Sequence, residues 1–167
     1  TYELHVSKQY NGKTQMPLVF ALHGGTGTGL KMIELTSGGL STLSDQEGFI
    51  AVYPDGIEGH WNDGRNVQSY RAQRENIDDV GFMAALIKAL EGKLAIDKKH
   101  IYVTGMSNGA IMSNRLGCEL ADKIAAIVPV SGAMPQNIAS TCKPSRSLSV
   151  LMINGTADKQ VPWEGGN

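Results

Sequence analysis

Ser107 stands in Gly105-Met106-Ser107-Asn108-Gly109, a glycine-flanked serine of the type that acts as a nucleophile in acyl transfer. That chemistry needs the hydroxyl clear of its surroundings on a sharp turn, so the flanking side chains must vanish. A helix beginning at the turn aims its first amides and positive dipole end at a developing oxyanion. The pentapeptide alone is weak evidence, because chance supplies it about one time in six in a chain this rich in Gly and Ser. Its setting adds weight. The apolar, β-branched run Ile101-Tyr102-Val103-Thr104 precedes it, and Met112, Leu116 and Leu120 follow at four-residue spacing. The order is strand, turn, helix.

Two further segments suit the same chemistry. His23-Gly24-Gly25-Thr26-Gly27 follows an earlier apolar run, where small residues let backbone approach a carbonyl. Gly25 or Thr26 is the expected second oxyanion donor, with Asn108 supplying the amide after the serine. A phosphate loop is the rival reading. The Lys-Ser/Thr of a P-loop is missing, and the glycines lack dinucleotide spacing. Asp158, in Asn154-Gly155-Thr156-Ala157-Asp158, follows a late apolar run and suits an acid that orients an imidazole. Taken by position alone it is equally well a turn aspartate.

These residues need a scaffold. Leu18–Leu22, Phe49–Tyr53, Ile101–Thr104, Ala125–Val130 and Ser149–Ile153 are apolar runs expected for strands covered on both faces. Glu3–Val6 is expected as an antiparallel edge strand. From Asp78 to about Leu94, Met83, Leu86, Ile87, Leu90 and Leu94 form one apolar stripe, with Asp78 or Asp79 as cap. Ile33–Leu43 reads as a weaker helix, interrupted by Gly38-Gly39. The stretch from Asp55 to Asn76 reads as a long loop carrying Trp61 and Tyr70, and long loops in compact domains tend to be functional. The alternation predicts an α/β fold with a mainly parallel sheet in a single domain over residues 1–167.

Composition narrows the function. With 15 basic and 16 acidic residues in 167, the formal net charge is −1. No Lys/Arg run is present to attract nucleic acid or a membrane surface, and no apolar run reaches the ~20 residues that span a bilayer. The chain starts Thr1-Tyr2-Glu3 without a leader, so a signal peptide is read as absent or already removed. Cys118 and Cys142 are the only cysteines. Spacing alone leaves open whether they are a disulfide or two buried thiols. No metal-ligand spacing occurs, and neither a metal nor an organic cofactor is implied.

In order along the chain run Leu22-His23-Gly24-Gly25, Tyr53-Pro54-Asp55-Gly56, Trp61-Asn62, Asp78-Asp79-Val80-Gly81-Phe82, Gly105–Gly109 and Asn154–Asp158. As a set they resemble the polyhydroxybutyrate depolymerase/feruloyl esterase group of secreted α/β-hydrolases, from about Leu4 to Gly166. The resemblance implies an α/β-hydrolase-type, mainly parallel sheet with helices on both faces, here lacking the C-terminal strand and helix. It implies carboxylic-ester hydrolysis of short-chain or aryl (feruloyl-type) esters through an acyl-enzyme, and an extracellular location. Ser107 becomes the nucleophile and Asp158 the triad acid. Trp61 and Asn62 are expected near the substrate pocket, Asp78-Asp79 as structural, and Cys118–Cys142 as a disulfide.

One departure matters. The family's histidine follows the acid, whereas His5, His23, His60 and His100 all precede Ser107. Three explanations compete: the chain is truncated before the histidine, a resident histidine serves, or the triad is crippled. His60 is the best resident candidate for a base, because it follows the Tyr53-Pro54-Asp55 strand end. His23 is expected to be structural, and His5 and His100 to lie at the opposite end. Without a final strand, Ser149–Ile153 would leave an uncovered edge, and a homodimer through that edge is expected. The alternative to an esterase is a non-catalytic remnant that stacks a phenolic or sugar ligand on Trp61 and Tyr70.

Overall fold

The structure is a computed structural model that describes residues 1–165. The apolar runs form a six-stranded sheet. In chain order the strands are β1 (Tyr2–Val6), β2 (Met16–Leu22), β3 (Ile50–Pro54), β4 (Ile96–Met106), β5 (Ala126–Val130) and β6 (Ser149–Val150). Their spatial order is β1-β3-β2-β4-β5-β6. Only β1 runs antiparallel, pairing β3 from Tyr2–Pro54 to Val6–Ile50, and every other neighbouring pair is parallel. Parallel neighbours need crossovers, which the helices supply.

Side-chain alternation sorts the core onto two faces of the sheet. On one face, Leu18, Phe20 and Leu22 of β2 and Ile50 and Val52 of β3 pack with Met83, Ile87 and Leu90 of α4 (Asp79–Glu91) and Met112 and Leu116 of α5 (Asn108–Glu119). On the other face, Ala21, Ala51 and Tyr53 meet Met32 of α1 (Gly29–Leu35), with Leu40 of α2 (Gly39–Glu47) against them. The expected two-sided α/β architecture is therefore present.

The expected Ile33–Leu43 helix is two helices. Ser37 and Gly38 take left-handed φ values of 50° and 69°, and their amides fold back onto Glu34 O and Ile33 O. Glycine makes that reversal cheap. The expected Ser149–Ile153 strand shortens to Ser149–Val150 plus one bridge, Val130–Ile153. Strand β4 begins five residues before the apolar run, at Ile96, with a register shift against β2 between Met16 and Leu18. Helix α4 ends at Glu91 rather than Leu94, capped by Gly92, while Asp78 accepts the Gly81 amide at its start. The Asp55–Asn76 stretch is a loop apart from α3 (Arg71–Arg74), and α6 (Gln136–Thr141) follows β5. Among the described residues, no helix is long and apolar enough to cross a membrane.

Candidate active site

Strand β4 delivers Ser107 to the C-terminal edge of the sheet, and α5 starts at the next residue. Ser107 adopts φ 53°, ψ −119°. A non-glycine residue held there costs on the order of 1–3 kcal/mol, so the surroundings must impose it. The Ser107 amide donates to Val130 O at 3.0 Å, and its carbonyl accepts the Ile111 amide at 2.9 Å. The flanking glycines are there for contact. A Cβ on Gly109 would lie 2.4 Å from Leu22 O, and one on Gly105 would lie 2.5 Å from Gly109 O. No real Cβ fits at that range, so β2, β4 and α5 close on one another only with both positions bare.

The loop after β2 lies beside the serine: a Cβ built on Gly24 would sit 3.6 Å from Ser107 Cβ. A tight turn shapes it, with the Gly27 amide donating to Gly24 O at 3.1 Å and Thr26 left-handed at φ 61°. His23 locks this turn from below. It is 1% exposed, its Nε2 accepts the Gly56 amide at 2.9 Å, and its Nδ1 therefore carries the proton donated to Gly24 O at 2.8 Å. Burial pushes its pKa below the ordinary imidazole value. His23 is thus neutral and structural, as expected. Asn108, at the first turn of α5, has no intrahelical acceptor for its own amide. A cavity of about 200 Å³ opens beside the loop, lined by Gly24–Gly27, Lys31, Met32, Leu35 and Met106. A larger one of about 470 Å³ lies at the other end of α5, by Cys118 and Cys142.

Asp158 follows the β6 segment. Its Oδ1 accepts the Gln160 amide at 2.8 Å and the Val161 amide at 3.0 Å. Those amides, Val161 first, hold the carboxyl below the usual carboxylate range, with help from the Ser131 side chain. Ser131 and Gly132 follow β5 and tie down the acid's segment. The Ser131 amide donates to Ile153 O at 2.8 Å and the Gly132 amide to Asn154 Oδ1 at 3.2 Å. Because Val130 also anchors the Ser107 amide, the end of β5 joins the serine turn to the Asp158 segment.

The histidines are placed otherwise. His60 stacks on Tyr70 with centroids 3.9 Å apart, its Nδ1 pairs with Glu58 O, and a Cβ on Gly25 would lie 3.4 Å from its Nε2. His5 pairs with Asp45, and His100 with Asp97. Among the described residues no hydrogen bond joins any of the four to Ser107 or Asp158. The structure therefore does not bring His60 and Ser107 together as base and nucleophile.

Trp61 and Asn62, expected near the substrate pocket, lie buried between the glycine loop and the start of α5. They are 0% and 4% exposed and form part of the frame. The Trp61 indole donates to His23 O at 3.0 Å, and its amide donates to Asn108 Oδ1 at 2.8 Å. The Asn62 amide donates to Asp79 Oδ2 at 2.7 Å, and Arg115 Nη1 donates to Asn62 O at 2.7 Å. Asp79 is itself buried, which raises its pKa. The expected structural role of Asp78-Asp79 takes this form: Asp78 caps α4, and Asp79 holds the loop. Sequence reasoning missed Asp63, Gln73, Arg115, Ser131 and Asn154. Each has a local reading as turn or surface residue, and its partner is far along the chain. Cys118 and Cys142 are joined as a disulfide with Cα atoms 5.4 Å apart.

A serine on a strained strand-to-helix turn, at the C-terminal edge of a mainly parallel sheet beside a glycine loop, defines the α/β-hydrolase class. The chain belongs to the phospholipase/carboxylesterase family, whose signature it matches over residues 55–167. It is 33% identical over 159 residues to feruloyl esterase B of Piromyces equi, covering 94% of this chain and 29% of that protein. It is 30% identical over 174 residues to a probable feruloyl esterase C of Aspergillus terreus, covering 99% and 57%. The chain thus spans less than two thirds of the length of these curated relatives. Acetyl xylan esterase from Aspergillus awamori shares the fold, with a TM-score of 0.77 at 20% identity, over 98% of this chain and 70% of that one.

Proposed function

We propose that this protein is a carboxylic-ester hydrolase acting on short-chain or aryl, feruloyl-type esters through Ser107. The observation that carries the reading is the Ser107 backbone at φ 53°, ψ −119°, between β4 and α5. Strain at such a position is sustained where an exposed nucleophile is required. In the proposed reaction Ser107 Oγ attacks the ester carbonyl carbon while an imidazole takes the hydroxyl proton. The resulting oxyanion is held by the Asn108 amide and by that of Gly25 or Thr26. Collapse expels the alcohol, which receives the proton, and leaves an acyl-serine. Water then attacks by the same route and frees the acid.

Asp158 is the proposed orienting acid, its low pKa keeping it anionic beside an imidazolium. The proposed base is an imidazole other than the four above, since among the described residues none of those hydrogen-bonds to Ser107 or Asp158. The cavity of about 200 Å³ beside the glycine loop suits a small acyl or alcohol group. The names of the relatives favour aryl esters. The disulfide supports an extracellular protein. The ligand-stacking alternative loses its platform, because Trp61 is fully buried and Tyr70 already stacks on His60.

A fluorophosphonate probe tests the reading, together with turnover of p-nitrophenyl acetate and methyl ferulate. Labelling at Ser107, and loss of both labelling and turnover in Ser107→Ala, is the expected result. Turnover that survives Ser107→Ala would sink it.

A further inference from the structure

Beneath the serine turn lies a buried carboxylate that the proposed reaction does not use. Asp63 is 0% exposed. Its Oδ1 accepts from Gln73 Nε2 at 2.9 Å and from the Arg65 amide at 3.1 Å. Its Oδ2 accepts from Asn108 Nδ2 and from Arg65 Nε at 2.9 Å, and Arg65 Nη2 lies 2.7 Å away. Every group facing this carboxylate is a donor. A buried charge so fully satisfied is expensive to assemble, and removing its partners is costly.

The donor that matters is Asn108. Its side-chain amide is a two-ended clasp on Trp61: Oδ1 accepts the Trp61 amide at 2.8 Å, and Nδ2 donates to Trp61 O at 3.2 Å. A carboxamide can turn end for end at little steric cost, and only its partners fix which end is which. Asp63 reinforces the choice made by Trp61, because a carboxylate accepts only from the NH₂ end. The consequence travels one residue further. Trp61, clasped by Asn108, donates its indole N–H to His23 O at 3.0 Å. Asn108 carries one oxyanion amide, and His23 opens the loop that carries the other. Trp61 is thus a cross-brace between the two walls, and Asp63 holds the clasp closed.

We infer that Asp63 is a positioning residue that sets the separation of the two oxyanion donors through Asn108 and Trp61. This rests on the esterase reading above. The sharpest probe is Asp63→Asn, which keeps the shape. Asparagine must turn its NH₂ toward donors whichever way it faces, so a donor meets a donor. With that NH₂ toward Asn108, Asn108 relieves the conflict by reversing, which sets its own NH₂ against the Trp61 amide; with it toward Gln73 and the Arg65 amide, the loop that carries Trp61 must shift. A misplaced donor costs on the order of 10- to 100-fold in rate.

The test uses the complete protein and p-nitrophenyl acetate. Asp63→Asn is expected to lower kcat about 10- to 100-fold with KM within about twofold, and to weaken phenylboronic acid binding in parallel. Trp61→Phe, which keeps the buried ring and removes the N–H to His23, is expected to lower kcat about tenfold. A merely structural role would lower the thermal midpoint and leave kcat per folded molecule unchanged. That result in a folded Asp63→Asn overturns the inference. Should Asp63→Asn lose its cooperative melting transition, unchanged kcat in Trp61→Phe overturns it instead. Ser107→Ala separates the two failures: an active Ser107→Ala removes the esterase reading itself, whereas an inactive one alongside an undiminished Asp63→Asn removes only the positioning role.

Discussion

At the scale of residues, the site divides into groups that face solvent and groups that hold them. Ser107 and the Gly24–Thr26 turn are the facing groups, and both carry left-handed backbone at a non-glycine residue. The holding groups are buried and polar, chiefly His23, Asp63, Asp79 and Asn108. His23 gives this frame a pH limit. Burial lowers its pKa below the unfolded value of about 6.5, so the unfolded chain binds the proton more readily than the folded one. Its contribution is therefore complete above about pH 6.5 and is lost as pH falls toward the lower folded value. The protonated ring can no longer accept the Gly56 amide, and the Gly24 turn loses its support. Thermal midpoints measured against pH should decline on the acid side, and His23→Gln should flatten that decline. A midpoint insensitive to pH in the wild type would contradict the argument. The facing residues were legible in the sequence, because glycines around a serine and a glycine loop after a strand are local patterns. The holding ones were not. Two aromatics in a long polar loop, Trp61 and Tyr70, also read as a platform for stacking a ligand. Only partners 38 and 47 positions away turn Trp61 into a buried brace.

At the scale of elements, strands covered on both faces announce themselves as apolar runs, and β2, β3 and β5 follow the expected bounds closely. Strand β4 was only half legible. Asp97, Lys98, Lys99 and His100, near its start, are polar, and the last three are exposed. Strand β6 is shorter than its apolar run, and among the described residues it pairs with β5 alone. Short helices such as α3 and α6 carry too few turns for a periodic stripe to show. The disulfide then does for α6 what packing does for α5. Helix α6 buries none of its residues, and Cys142, just past its end, is bonded to Cys118 near the end of α5. Closing a loop with sequence separation 24 is expected to stabilise the fold by about 3 kcal/mol. The Cys118→Ser/Cys142→Ser pair should lower the thermal midpoint accordingly, and reductant should reproduce the loss on the wild type. Equal midpoints with and without the bond would show that α6 is held by other means.

At the scale of the whole molecule, the sheet formed by the described residues has β1 at one edge and β6 at the other. Antiparallel β1 caps one edge. At the other, Val150, Leu151, Met152 and Ile153 are 47–60% exposed, an apolar strip next to unpaired backbone. Such an edge favours pairing with another strand. We propose that a second copy pairs with β6 over this strip, read as a dimer fraction that rises with concentration in sedimentation. A single monomeric species across the whole concentration range would rule it out, and a Lys substitution at Leu151 should suppress the dimer.

The Trp61 brace also bears on how the chain reaches its native state. It ties His23 to Trp61 and Trp61 to Asn108 across separations of 38 and 47 residues. Contacts of that range form only after long loops have closed, so they come late and raise the contact order of the whole domain. Nothing local can hold Ser107 at positive φ, since the restraint comes from β5, Trp61 and the β2 loop together. A nascent or partly folded chain therefore carries an ordinary, relaxed serine. On the proposed esterase reading, the reactive geometry switches on with global folding and is lost with the first cooperative opening, so loss of labelling at Ser107 would serve as a reporter of unfolding itself.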